Sequence, residues 1–132
     1  MIWMLVAAAL VAGTLATFTD WLFMGVMFHA RYLRYPDVWW PAENGNRRKI
    51  IISSMLGYVA SAAIVALAAI ANMHGVGNAL CLAIVAWIAG PLVVIVTNGF
   101  WIRIDPRITL AHCLGWLARF AIAGIAAGLV LR

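Results

Sequence analysis

Between Lys49 and Arg103 the chain carries no Asp, Glu, Lys or Arg. This stretch is far too long for one buried helix in a small soluble domain. It is also too long for a single membrane crossing of about 20 residues, and it fits two. The whole chain has 132 residues, 67% of them apolar and only 10% charged, with a mean hydropathy of +1.03. An average soluble domain is about half apolar and roughly a quarter charged. The composition therefore excludes a disordered chain and a water-soluble globule, and the length allows one domain.

The positive charge could suggest nucleic acid, since the net charge is +5 and the pI about 10.0. The basic residues do not form a stripe on a polar surface. Most sit in short connectors between apolar runs, which is the pattern of membrane topology signals. No nucleic-acid partner is expected; the expected partner is a lipid bilayer.

The fold class expected is all-α, a polytopic membrane protein with four transmembrane helices in an antiparallel bundle. Its single domain, residues 1–132, places the helices at about 1–28, 50–71, 79–97 and 106–131. Helix one reads through Asp20 and spans about 42 Å at 1.5 Å per residue, so it tilts or projects beyond a hydrocarbon core of about 30 Å. A cleaved signal peptide would begin with a basic segment and carry a shorter apolar run, so this helix is expected to be retained.

The interfacial connector 29–49 holds Arg31, Arg34, Arg47, Arg48 and Lys49 with Asp37 and Glu43. Pro36 and Pro41 break helix there, and Asn44-Gly45 marks a turn. Tyr32, Tyr35, Trp39 and Trp40 are rings of the kind that sit at headgroup level. A second break is expected at Asn72 to Asn78, around Gly75 and Gly77. Within helix three, Pro91 lacks an N–H and predicts a kink. Asp105-Pro106 reads as an N-cap followed by proline at the first helical position.

Four crossings put the first and third connectors on one side. Those connectors carry five and two Lys or Arg, whereas the other side carries only Arg132. The expected location is the cell inner membrane, with the basic connectors cytoplasmic and both termini outward.

Asp20 and Arg119 fall inside the expected spans, at about 12 and 17 Å from the cytoplasmic boundary. A charge at such depth costs a few kcal/mol, so each needs a partner or water. Opposite signs at comparable depths predict an ion pair between helices one and four. One reading makes the pair a register clamp, because buried pairs are weak evidence of net stability. The other makes it part of a polar cavity. His112, Trp116, Arg119 and Ala123 lie within about 40° of His112 on one face of helix four. Gly13, Thr17, Asp20, Met24 and Met27 share a face of helix one.

Gly124 and Gly128 form a GxxxG spacing on another face of helix four, which packs within the bundle or makes a homodimer. Cys81 and Cys113 are expected at opposite ends of their helices, too far apart for a disulfide. His29 and His112 are the weak candidates for a metal or haem, as ligands on different helices. No carboxylate cluster accompanies them, and no metal is expected. The cofactor is left unknown.

The segment from Trp21 to Phe28 resembles the aromatic segment of a small bacterial four-span membrane family, catalogued as a domain of unknown function. Asn98-Gly99-Phe100-Trp101 through Thr109, Ala111-His112-Cys113-Leu114 and the Gly124 to Gly128 spacing resemble its last connector and last helix. Members carry an Asn and a His at the positions of Asn98 and His112. Arg119 and the long aromatic first connector depart from that pattern. The resemblance implies an integral four-helix membrane protein and supplies no reaction.

Three functions compete. The first is small-molecule binding or transport in a pocket between helices one, three and four, with Asp20, Asn98, His112, Trp116 and Arg119 as ligand-binding candidates. The second is a membrane-embedded oxidoreductase-like enzyme on a lipophilic substrate, with Trp87, Trp116 and Phe120 stacking on a ring and His112 as acid or base. The third is an accessory subunit of a larger membrane complex, docked through the GxxxG face.

Overall fold

A computed structural model describes residues 1–35, 38 and 46–132. These residues are all-helical in their regular structure. Helix one runs Ile2–Met27, followed by a short helix His29–Tyr32; helix two is Asn46–Ile70, helix three Gly75–Trp101 and helix four Pro106–Val130. Each of the four long helices is long and apolar enough to cross a membrane.

The helices run antiparallel. The Gly75 N–H donates to the Leu131 carbonyl at 2.7 Å, which puts the two–three turn beside the end of helix four. At the opposite end Arg31 approaches Asp105 at 4.0 Å, which brings the first and third connectors together. Helix four is the hub and packs against the other three, whereas helices two and three touch little.

Small residues line the helix contacts and large ones face outward. The core holds Ala8, Ala12, Ala16, Ala68, Ala79, Ala83, Ala111, Ala123 and Ala127, while Trp3, Leu10, Phe18, Ile52, Phe100 and Trp101 are exposed. A protein stabilised by expelling water would bury the large side chains. Close backbone approach through small residues is how helices associate where the surroundings are already apolar. Gly128 shows the extreme case: a Cβ there would lie 2.4 Å from Val76 Cα, and one on Gly124 would lie 2.8 Å from Ala83 Cβ. The GxxxG face is thus filled by helix three of the same chain.

Helix three starts at Gly75, earlier than the expected residue 79. Asn72 stops helix two instead, at φ 53°. The Met73 N–H reaches the Ala68 carbonyl and the Asn72 N–H the Ala69 carbonyl, the paired bonds of a Schellman cap. Gly75, at φ 76°, completes the turn and opens helix three, with Gly77 inside that helix; the Gly75–Val76 backbone packs on Gly128. Helix three also continues past residue 97 to Trp101. Pro91 sits within a π-helical turn, Ile88–Leu92. Asp105 caps helix four as expected, its side chain accepting the Arg107 N–H at 2.8 Å.

Helix two begins at Asn46, so Arg48 and Lys49 belong to its first turn and not to the connector. Their long stems let the charged heads reach a polar surface while the backbone stays helical. Pro36, Asp37, Trp39, Trp40, Pro41, Glu43, Asn44 and Gly45, and the side chain of Arg47, lie outside the described residues.

Candidate functional site

Asp20 and Arg119 meet. Arg119 Nη2 donates to Asp20 Oδ2, joining helices one and four. Two glycines flank the pair. A Cβ on Gly57 of helix two would lie 3.5 Å from Arg119 Nη2, and one on Gly115 of helix four 3.5 Å from Asp20 Oδ1, both ordinary contact distances. The Arg119 guanidinium carbon sits 4.4 Å from the centre of the Trp116 ring, a cation–π contact that is strongest where water is excluded.

The two charges differ in exposure. The Arg119 side chain is 7% exposed and that of Asp20 is 22%. The carboxylate opens onto a cavity of about 620 Å³ lined by Thr17, Asp20, Trp21, Met24 and Gly25 of helix one, Ile50, Ser53, Ser54 and Leu56 of helix two, and His112, Trp116 and Arg119 of helix four. This volume is within the range of pockets that hold drug-sized molecules.

Four of the five ligand-binding candidates therefore come together: Asp20, His112, Trp116 and Arg119. Asn98 does not. It is exposed on helix three, because its neighbour Gly99 takes the packed position, where a Cβ would lie 3.2 Å from Thr109 Oγ1. One residue of helix is 100° of rotation, and only one of the two can face helix four. The third wall of the pocket is helix two, not the expected helix three.

Ser53, Ser54 and Gly57 were not singled out by sequence because helix two carries no charge beyond its first turn to draw attention. A polar stripe at Ser54, Gly57 and Ser61, spaced three and four residues apart, was the available signal. Ser61 lies deeper on that stripe. It is fully buried, and its Oγ, like Arg119 Nε, has no hydrogen-bond partner among the described residues. The local shape of helix one was also not legible. Trp21–Met27 winds as a π-helix, with the Phe28 N–H donating five residues back to the Phe23 carbonyl at 2.9 Å. This wide turn carries Trp21, Met24 and Gly25 to the cavity wall, and such turns recur at functional sites.

His112 lines the mouth of the cavity and its Nε2 is 3.2 Å from the Tyr32 hydroxyl. His29 is exposed and does not line the cavity. Among the described residues no group of three or more His, Cys, Asp or Glu is arranged to hold a metal. Of the rings proposed to stack on a substrate, only Trp116 lines the cavity. Phe120 is buried in the core beside it, and Trp87 donates to the Cys113 carbonyl at 3.2 Å. Cys81 and Cys113 are both free, one exposed and one buried.

No protein-family model matches this chain, and no curated protein or solved structure is detectably similar to it.

Proposed function

We propose that the chain is an integral membrane protein that binds a small amphipathic molecule between helices one, two and four. The observation that carries this reading is the placement of the Asp20–Arg119 pair. It lines a roomy cavity and is not sealed in the core. Removing two charges from water is costly, and holding two helices together does not require a roomy cavity beside the pair.

The cavity lies toward the end that carries the connectors. Beyond it the bundle closes with Ala12, Ile64, Phe120 and Ala123. A one-sided cavity supports binding; transport would need a second state open at the other end. The basic connectors favour a cytoplasmic mouth in an inner membrane, with both termini outward. Reporter fusions at the C-terminus that remain cytoplasmic would reverse this orientation.

Native mass spectrometry of the full chain from mild detergent tests the binding reading. A small-molecule adduct is expected on the wild type and lost in Met24→Trp, which fills the cavity. An adduct that survives the substitution would contradict it. A second reading, the pair as a clamp, draws on the burial of the Arg119 side chain between helices. It predicts no ligand and full tolerance of cavity filling.

A further inference from the structure

The charges in the cavity already cancel. Asp20 and Arg119 form a pair, and among the described residues no other Asp, Glu, Lys or Arg lines the cavity. A guest with a net charge would bring one that no lining group balances, and burying an unpaired charge is costly. A neutral guest avoids that cost.

The pair does not present its two members equally. The guanidinium is the more buried partner and donates to Oδ2. Among the described residues Asp20 Oδ1 accepts no hydrogen bond. The group offered to a guest is an ionised acceptor, and its complement is a hydrogen-bond donor. A hydrogen bond to a charged group is among the stronger neutral-to-ion contacts available.

The remaining walls specify the body of the guest. Trp21 and Trp116 offer indole rings, Met24 a polarisable thioether, and Ile50 and Leu56 apolar branches. Flat rings and lipophilic tails suit such walls. The Asp20 carboxylate, the more exposed member of the pair, disfavours an acidic guest.

Resting on the binding reading above, we infer that the guest is an uncharged, lipophilic ring compound bearing a hydroxyl, of the phenol class. Its O–H donates to Asp20 Oδ1 while its ring packs against the indole walls. On the helix-two wall Ser54 offers a hydroxyl to a second polar substituent, and Ser53, whose O–H donates to the Ile50 carbonyl at 2.9 Å, offers an acceptor oxygen.

Isothermal titration calorimetry on the detergent-solubilised full chain tests this with four probes: para-octylphenol, para-octylanisole, octanoate and octylammonium. Met24→Trp and Ser54→Phe, which fill the cavity from opposite walls, report which heat comes from the site. The phenol is expected to bind roughly tenfold or more tightly than the anisole, the loss expected when a hydrogen bond to a charged group is removed. Both charged amphiphiles are expected to bind more weakly than the phenol, and both substitutions to abolish the signal. If phenol and anisole bind equally, or a charged probe binds best and is still blocked by the substitutions, the donor inference falls and the binding reading stands. If no probe gives heat that the substitutions remove, the phenol inference falls. An adduct in native mass spectrometry that Met24→Trp removes would then keep the binding reading alone.

Discussion

Asp20 and Arg119, 99 residues apart in the chain, form an ion pair in which the carboxylate is the exposed partner and the guanidinium the buried one. Arg119→Leu leaves a partly buried carboxylate without its partner and is expected to destabilise the fold by about 3–5 kcal/mol. The charge swap Asp20→Arg with Arg119→Asp restores an ion pair and recovers part of that loss. It also moves the acceptor to the buried position, so ligand binding stays lost. Thermal unfolding in detergent and calorimetry on the same samples read the two effects separately.

The helix three–helix four contact rests on backbone proximity. Gly128→Ala places a Cβ 2.4 Å from Val76 Cα, and backbone cannot step aside as a flexible side chain can. The expected cost is about 1–3 kcal/mol, the range for overpacking. Gly77→Ala on helix three meets nothing within 4 Å. It is expected to be neutral or to stabilise by roughly 0.5–1 kcal/mol through helix propensity. Unfolding curves of the two variants check the contrast.

Ser61 buries a hydroxyl that has no partner among the described residues. Ser61→Ala removes an unsatisfied polar group and leaves the shape nearly unchanged. It is expected to raise stability by about 1 kcal/mol. A loss of stability of similar size would show that the hydroxyl is engaged in the folded protein.

Tyr32 lies just outside helix one, and burial pushes its hydroxyl up to about 12. The folded protein therefore holds the proton after the unfolded chain has released it. The associated stability is complete below pH 10 and is lost as pH rises from about 10 toward 12. Tyr32→Phe also removes the contact with His112 Nε2. Ultraviolet titration should show one late-ionising tyrosine in the wild type that is missing from the variant.

The architecture was legible in the sequence because an apolar run long enough to cross a bilayer has few alternatives. Depth and sign sufficed to pair Asp20 with Arg119, since each charge needed a partner. Rotation was less legible. Asn98 and Gly99 are adjacent, and composition does not say which one faces helix four; the fit against Thr109 does. The contribution of helix two was hidden for a different reason. Gly57 and Ser54 are unremarkable in an apolar helix. The π-helical turn at Trp21–Met27 carries no proline and left no signature. Helix starts shifted at Asn46 and Gly75 because capping and snorkelling, not hydropathy alone, set where a helix ends.

The central claim is that the Asp20–Arg119 pair lines an open cavity. Thiol accessibility in membranes tests it most directly, in a background where Cys81 and Cys113 are replaced. Ser54→Cys, on the cavity wall, is expected to react with a small water-soluble methanethiosulfonate and to be protected by Met24→Trp. Ser61→Cys, fully buried on the same stripe, is expected to stay inert. A Ser54→Cys thiol as unreactive as the one at Ser61 would mean that no open cavity exists beside the pair.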